Sequence, residues 1–349
     1  MSNILINTRL LAAETTGLQR YLKELIIRFP PRFKTISPSR TSGVIGSHLW
    51  EQTVLPFKIK KGDYLFSPGN SGPISVSRQI VTIHDVAPLD RPDWFGRPRA
   101  RWFQFMTPRL AGQAAHVITV SEYSKQRLLI HAPIDERKIT VIPIGVDKCF
   151  SPQPHEQIER MRRAMNLPEG QYVLCVGTIL DKRKNIIRLL EAWSKIENDI
   201  PKDVWLILAG KHDDKDFRAN LAQAGISPSR VYLSGHFPEE WMPALYSGAL
   251  AFAFPSLYEG FGLPPLEAMA CGAPVLTSNL TSLPEVVGDA AWLVDPLDVG
   301  QITDGLVRLI EDNALRSQLI AKGLKRSALH DWDESARQTW ALLEEFAAR

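Results

Sequence analysis

Short apolar runs alternating with amphipathic segments most constrain the fold of this chain. Runs such as Asn3–Asn7, Tyr172–Val176 and Trp205–Ala209 are only five residues long and are typical of buried strands. After the first run, Leu18 and Leu22 recur at helical spacing. Strands that alternate with helices favour parallel sheets joined by right-handed crossovers. The pattern therefore predicts an α/β protein.

The alternation stops and then restarts, which predicts two domains. A chain of 349 residues exceeds one ordinary core. We predict a first doubly wound domain over 1–150, with a loop-like linker over 143–154, a second domain over 151–330, and a terminal helix over 331–349. The usual GxGxxG dinucleotide fingerprint does not occur in the sequence.

Charge is distributed unevenly between the two halves. Residues 1–150 carry 21 Lys and Arg against 11 Asp and Glu, whereas residues 151–349 carry 20 against 27. Such asymmetry indicates that the first half faces an anionic partner, either a phosphorylated substrate or a membrane surface. We expect no nucleic-acid partner, because the sequence has no zinc-finger, RNP or basic heptad signature.

The cysteines and the N-terminus indicate a cytoplasmic protein. Cys149, Cys175 and Cys271 are far apart and form no CxxC pair, which excludes a disulfide framework or a zinc-finger pattern. The N-terminal residues show no signal-peptide pattern, and no apolar run approaches the roughly 18 residues of a spanning helix.

One segment suggests peripheral contact with the inner face of a membrane. Asp93–Arg109 interleaves four arginines with aromatic residues, as basic interfacial helices do. The alternative is a helix that packs these aromatics into the core of the first domain.

Metal-dependent chemistry is not expected. Two D-x-D triplets occur, at Asp214–Asp216 and Asp331–Asp333, but the first lies in a hydrophilic loop and the second begins the terminal helix, where Asp suits the helix dipole. The histidines show no HExxH spacing.

The most informative stretch is Pro255–Pro274, PSLYEGFGLPPLEAMACGAP. Its two glutamates, Glu259 and Glu267, are eight residues apart, a spacing that is not specific by itself. Between them, glycines follow a predicted strand and a Pro-Pro pair begins a predicted helix. Glycines let the backbone approach a ligand closely, and a helix N-terminus favours phosphate.

With these residues the chain resembles the retaining glycosyltransferases of family 4. Besides EGFGLPPLE, the resemblance is carried by TGLQRY, TIHD, VSEYSK, VIPIGVD, VGTILDKRKN and CGAPVLTSNLTSLPEVVGDAAWLVDP, in that order. It implies the GT-B fold: two Rossmann-like doubly wound domains facing a central cleft, with the acceptor in the first and the nucleotide sugar in the second. It also implies that the terminal helix crosses back to the first domain. No conventional carboxylate nucleophile is evident, so a same-face displacement with retention is favoured.

The resemblance assigns roles to the motif of the second domain. Glu259 would bind a hydroxyl of the transferred sugar, and Glu267 would bind the ribose hydroxyls of the nucleotide. The backbone amides of Phe261, Gly262 and Leu263 would reach sugar hydroxyls and phosphate.

Further residues are implied around the diphosphate. Arg183 and Lys184 would neutralise its developing charge, and Gly17 would let the first loop approach it. His84 would lie near the reacting sugar, so that His84, Lys184 and Glu259 form the catalytic set. Plainer interpretations exist: Arg183–Lys184 as a solvated charge run, His84 as a strand-end histidine and Gly17 as a turn. Thr178 stands where many family members have Arg.

The subgroup resembles bacterial mannosyltransferases of O-antigen and exopolysaccharide assembly, through TGLQRY, HLWEQ at His48–Gln52, TIHD and the VGT…RKN loop. This implies GDP-mannose as donor, no cofactor, and a saccharide or polyprenyl-diphosphate-linked saccharide as acceptor. A UDP-glucose or rhamnose-nucleotide donor is an alternative. Two other functions stay open: a sugar-nucleotide epimerase, and a non-catalytic nucleotide-sugar-binding protein.

Overall fold

A computed structural model of the protein describes residues 3–12, 17–38, 43–211 and 213–349. These residues divide into two compact units. Unit 1 comprises Met1–Gly145 together with Asp331–Arg349, and unit 2 comprises Val146–His330.

Each unit is built on one six-stranded parallel sheet. The strands are β1 (Ile4–Asn7), β2 (Phe33–Ile36), β3 (Tyr64–Ser67), β4 (Gln79–Thr82), β5 (His116–Thr119), β6 (Ile139–Val141), β7 (Gln171–Val176), β8 (Val204–Ala209), β9 (Val231–Gly235), β10 (Ala251–Phe254), β11 (Val275–Ser278) and β12 (Ala291–Val294). Their order is β2-β1-β3-β4-β5-β6 in unit 1 and β12-β11-β10-β7-β8-β9 in unit 2.

Helices connect the strands and cover the sheets. They are α1 (Gly17–Ile26), α2 (Gly43–Thr53), α3 (Leu55–Lys58), α4 (Ala87–Asp90), α5 (Arg97–Gln113), α6 (Glu122–His131), α7 (His155–Ala164), α8 (Ile186–Ile196), α9 (Asp214–Ala224), α10 (Met242–Ser247), α11 (Leu263–Ala270), α12 (Leu283–Val287), α13 (Val299–Glu311), α14 (Asn313–Ser327) and α15 (Trp332–Ala348). The predicted α/β class is confirmed.

The central strands form because their sequences are apolar on both faces. Strands β1, β3, β4 and β5 of unit 1 and β10 and β11 of unit 2 are buried at every position, as expected where helices cover both sides of a parallel sheet. Helix α8 buries one apolar face that includes Leu189, Leu190 and Trp193 in the core of unit 2. Ser121 caps α6 as predicted, because its side chain accepts a hydrogen bond from the amide of Ser124.

Two differences from the predicted elements have physical causes. The predicted strand over 79–84 ends at Thr82, and the amide of His84 donates to the side-chain oxygen of Asn70 instead of to a strand. Strand β2 was not predicted, because it lies at the sheet edge, where Lys34 and Thr35 are exposed and interrupt any apolar run.

The strand order places a topological switch point in each sheet. In unit 1 the direction of winding reverses between β1 and β3, and in unit 2 it reverses between β7 and β10. In open α/β sheets, the carboxyl ends of the two strands at such a point leave a crevice in which ligands bind.

Candidate active site

Lys184 and Glu259 meet at the switch point of unit 2. Lys184 ends a 3-10 turn that follows β7, and Glu259 lies in the loop that follows β10. The Lys184 Nζ atom is 2.7 Å from Glu259 Oε1, and the two side chains are 16% and 15% exposed. The structure therefore brings together two of the three predicted catalytic residues, partly shielded from water.

Ser256 and Phe254 support this pair. The hydroxyl of Ser256 lies 2.7 Å from Glu259 Oε1 and 2.8 Å from the carbonyl oxygen of Arg183, and its single proton can be donated to only one of them at a time. The Lys184 ammonium also sits 4.7 Å from the ring centroid of Phe254, a favourable cation–π distance. Ser256 was not among the predicted site residues, although its place two residues after β10 is a signal for such a role.

Asn185 fixes the turn that presents Lys184. Its backbone is left-handed, with φ 59° and ψ 31°, a conformation in which Asn is among the favoured non-glycine residues. Its buried side-chain amide donates to the carbonyl oxygens of Pro255 and Pro296, at 3.1 and 2.7 Å. Asn185 was not among the predicted site residues.

Helix α11 is preceded by a glycine that no other residue could replace without strain. Gly262 has φ +110°, and a Cβ atom there would lie 2.6 Å from the Cδ2 atom of Leu283. Within the described part of the chain, the amides of Phe261, Gly262 and Leu263 donate to no acceptor. Unpartnered amides at a helix N-terminus are suited to an anion or a hydroxyl.

Glu267 lies one turn into the same helix. It is 6% exposed, and the hydroxyl of Tyr246 donates to its Oε2 atom at 3.1 Å. A carboxylate held in this way is oriented by its neighbours and suits recognition of a hydroxyl pair.

Arg183 has a different environment from Lys184. Its guanidinium makes a two-point contact with Asp181, with Nη2–Oδ2 at 2.6 Å and Nε–Oδ1 at 3.0 Å. Burial raises the pKa of Asp181, but the hydrogen bonds and charge of Arg183 outweigh that effect and hold this pKa below its usual value. A phosphate would have to share this arginine with Asp181, so the predicted diphosphate role of Arg183 stays a prediction.

His84 belongs to unit 1 and is buried, with 7% of its surface exposed. Its Nε2 atom is 3.1 Å from the carbonyl oxygen of Pro68, and its ring contacts the ring of Tyr21 edge-on at 4.5 Å. A carbonyl only accepts, so Nε2 carries the proton and Nδ1 is the acceptor. Burial lowers the pKa of His84 to about 4, which keeps the imidazole neutral near pH 7.

The remaining predicted site positions are less informative. Gly17 begins α1, and a Cβ atom built there would have no neighbour within 4 Å among the described residues. Thr16, which precedes it in the TGLQRY motif, lies outside the described residues.

The two acidic triplets of the sequence, at Asp214–Asp216 and Asp331–Asp333, lie at the starts of two helices. The prediction that the first triplet lies in a loop is wrong, because Asp214–Ala224 forms helix α9. The side chain of Asp214 lies outside the described residues. Asp331 caps α15 by accepting from the amide of Asp333, as the helix-dipole interpretation predicted. In the described ranges, no group of three or more His, Cys, Asp or Glu side chains could hold a metal ion.

Helix α5 combines an exposed basic face with a buried apolar one. Arg97, Arg99 and Arg101 are exposed, and Phe105 is 50% exposed. Ala100, Met106 and Leu110 are buried, whereas Trp102 and Phe103 are only partly covered. The helix therefore packs into unit 1 while it keeps a basic and aromatic surface in solvent.

The chain has two doubly wound sheets. The Lys184–Glu259 pair and the N-terminus of α11, which Gly262 precedes, lie at the switch point of unit 2. Together these features define a glycosyltransferase of the GT-B class. The family profile described as "Glycosyl transferases group 1" matches residues 157–326, and "Glycosyltransferase Family 4" matches residues 67–148. The chain belongs to the family 4 glycosyltransferases.

Similar proteins agree with this membership. The chain is 32% identical to O-antigen chain mannosyltransferase B of Escherichia coli, over 79% of this chain and 73% of that protein. It is 33% identical to the MMP alpha-(1->4)-mannosyltransferase of Mycolicibacterium hassiacum, over 77% of this chain and 66% of the relative. The structure of sucrose-phosphate synthase from Thermosynechococcus elongatus superposes with a TM-score of 0.79 at 21% identity, covering 100% of both chains.

Proposed function

We propose that this protein transfers mannose from GDP-mannose to a saccharide or lipid-linked saccharide, with retention of anomeric configuration, in cell-surface polysaccharide synthesis. The names of its mannosyltransferase relatives support the sugar and the setting. The structural observation that supports the chemistry is the contact of Lys184 with Glu259, near the backbone amides of Phe261 to Leu263 that have no acceptor among the described residues.

The donor would bind with its diphosphate at Lys184 and at the N-terminus of α11. Negative charge grows on the leaving phosphate as the bond from the sugar C1 atom to phosphate oxygen breaks. A fixed ammonium and fixed amides stabilise that charge without reorganisation. Glu259 would hold a sugar hydroxyl and Glu267 the ribose hydroxyls, while Arg183 adds a second positive charge.

The acceptor hydroxyl would attack C1 from the face that the phosphate leaves. Its oxygen forms the new bond to C1, the electron pair of the broken bond departs with GDP, and the proton passes to the leaving phosphate. His84, neutral and protonated on Nε2, would offer Nδ1 as an acceptor to a hydroxyl of the reacting sugar.

A peripheral membrane contact is part of this proposal. The exposed arginines 97, 99 and 101 of α5 and the half-exposed Phe105 suit the headgroup region of an anionic bilayer, where a polyprenyl-diphosphate-linked acceptor would be found. Within the described residues, no helix has both the length and the apolar character needed to cross a membrane. The proposed location is the cytoplasmic face of the membrane.

The donor is tested by thermal shift with GDP-mannose, UDP-glucose and a rhamnose nucleotide. Saturation at about 100 times Kd should stabilise the fold by about 2.7 kcal/mol, because ligand binds only the folded state. Incubation with octyl glycosides and NMR of the product should then show an α-linked mannoside. If UDP-glucose gave the larger shift and its glucose were transferred, UDP-glucose would be the donor instead of GDP-mannose. A β-linked product would exclude retention.

A further inference from the structure

A buried ion pair in unit 1 has no role in the chemistry described above. Arg9, just after β1, and Glu51, in α2, contact each other with Nε 3.2 Å from Oε1, and their side chains are 7% and 1% exposed. Glu51 belongs to the HLWEQ motif of His48–Gln52. Removing two charges from water is costly, and an apolar pair of similar volume is often at least as stable. Stability alone is therefore a poor explanation for this pair.

Several polar side chains converge on the pair. Asn7 Nδ2 donates to Glu51 Oε1 at 2.7 Å, and Ser71 Oγ lies 3.2 Å from the same oxygen. Arg9 donates from Nη1 to Ser47 at 2.9 Å and from Nη2 to Ser71 at 2.5 Å. Oε1 of Glu51 is thus crowded with donors, and Arg9 is held in one orientation.

The second carboxylate oxygen is not satisfied in this way. Among the described residues, Glu51 Oε2 is buried with no hydrogen-bond partner, and so is Nδ1 of His48, which lies 3.7 Å from it. Burial raises the pKa of Glu51, but the polar contact of His48 and the charge of Arg9 outweigh that effect and hold this pKa below its usual value. The carboxylate therefore stays ionised at neutral pH. A buried, charged oxygen that faces only His48, at 3.7 Å and beyond hydrogen-bond distance, is costly, and a ligand hydroxyl that reached it would satisfy it.

The cluster lines a pocket at the switch point of unit 1. The pocket has a cavity volume of about 10 Å³ and is bordered by Asn7 at the end of β1 and by Pro68, Gly69 and Ser71 after β3. A cavity of this size holds about one water-sized group, so the pocket can take a single hydroxyl of a ligand. Pro68 also accepts the hydrogen bond from His84 Nε2, which places the pocket beside a proposed catalytic residue.

We propose that this Arg9–Glu51 pocket binds one hydroxyl group of a neutral pyranoside acceptor and determines which acceptor is used. The inference rests on the proposed glycosyl transfer and adds a substrate-recognition site to it. One cation and one anion supply donors and acceptors without net charge, which matches hydroxyls because they both donate and accept. A phosphate would instead face the ionised Glu51. Sites that hydrogen-bond a substrate hydroxyl strongly reject analogues that lack it.

The test compares wild type with Glu51→Gln, which keeps the shape and removes the charge. Acceptors are the octyl pyranosides of mannose, glucose, galactose and N-acetylglucosamine, followed by the monodeoxy analogues of the best one. Glu51→Gln should raise the KM for the acceptor at least tenfold, while the KM for the donor and the Kd for GDP stay within twofold. Wild type should discriminate at least tenfold against one deoxy analogue, and the variant should discriminate less than threefold.

Asp90→Asn is the matched control. Asp90 is a carboxylate of unit 1 with a side chain 7% exposed, paired with Arg127 and outside the pocket. Its loss should leave the KM for the acceptor unchanged. If Glu51→Gln does not fold, Ser71→Ala provides the same comparison, because it removes one hydroxyl of the network.

Three results would overturn the inference: a folded pocket variant with an unchanged KM for the acceptor, a change confined to the KM for the donor, or no transfer to any of the four glycosides by a wild-type enzyme that binds GDP. Failure of the proposed function looks different. In that case wild type neither binds GDP or another nucleotide sugar nor transfers any sugar, and the inference falls with it.

Discussion

The ammonium of Lys184 lies 2.7 Å from a carboxylate oxygen of Glu259, although 75 residues separate them in the chain. The pair holds both side chains at the switch point of unit 2. A bound diphosphate would compete with Glu259 for the same ammonium, so donor binding and the orientation of Glu259 are expected to be coupled.

Replacement of Glu259 by alanine should reduce transfer by at least about a hundredfold, the scale for losing one preorganised contact to the reacting group. The melting temperature should change little, because Glu259 keeps a partly exposed position and is not part of the core. Initial rates and thermal melts measure both effects, with exposed Glu311→Ala as the control. Turnover within about threefold of wild type would contradict the assigned role.

Replacement of Lys184 by alanine should cost about 2–4 kcal/mol of transition-state stabilisation, measured from kcat/KM. Arg183→Ala should cost less, because Asp181 already shares the charge of that guanidinium. A double-mutant cycle with Glu259→Gln should be non-additive, since Lys184 and Glu259 are in contact. An effect of Lys184→Ala on the KM for the acceptor alone would exclude its diphosphate role.

Stability should fall on acidification partly because of His84. Its pKa is about 4 in the folded protein against 6.5 for an ordinary histidine, so between these values the unfolded chain binds a proton that the folded chain does not. The stability contribution is present above pH 6.5, is lost as pH falls toward 4 and reaches up to about 3 kcal/mol.

The histidine prediction is checked by thermal melts at pH 7.0 and 4.5 for wild type and His84→Gln. Wild type should lose more stability over this interval than the variant does. His116 and His330, whose pKa values are also lowered to about 4 by burial, should preserve part of the loss in both proteins. Identical pH dependence would show that His84 is not buried as a neutral group in solution.

Transfer should proceed without a divalent metal, because Lys184, Arg183 and the N-terminus of α11 supply the positive charge and dipole that the diphosphate needs. Initial rates after dialysis against EDTA should stay within about twofold of untreated enzyme. Loss of activity that manganese or magnesium restores would contradict this expectation and direct attention to the Asp214–Asp216 segment.

The charge reversal of Arg97, Arg99 and Arg101 to Glu should abolish flotation with vesicles that contain anionic lipid. Each basic residue near such a surface contributes about 1 kcal/mol, and salt should weaken binding because it screens these charges. A triple reversal of Arg160, Arg163 and Lys325, exposed residues of unit 2, is the control. If both variants floated equally, Arg97, Arg99 and Arg101 would not be the membrane contact.

The sequence alone determined the α/β class, most of the strands and the motif around Glu259, Gly262 and Glu267. These features are local. Apolar periodicity indicates which faces of an element are buried. A glycine between a strand and a helix indicates a turn that only glycine accommodates. The edge strand β2 escaped detection because a strand exposed to solvent does not need an apolar run.

The tertiary structure decided which distant side chains meet. The crossovers of a parallel sheet bring the carboxyl ends of non-consecutive strands to one edge, and this topology joins Lys184 to Glu259. The packing of helix α2 against the end of β1 joins Glu51 to Arg9. Hydropathy does not specify such pairing, since a buried charge in a sequence does not indicate its partner. The Arg9–Glu51 pocket became recognisable only when strand order placed the ends of β1 and β3 beside each other.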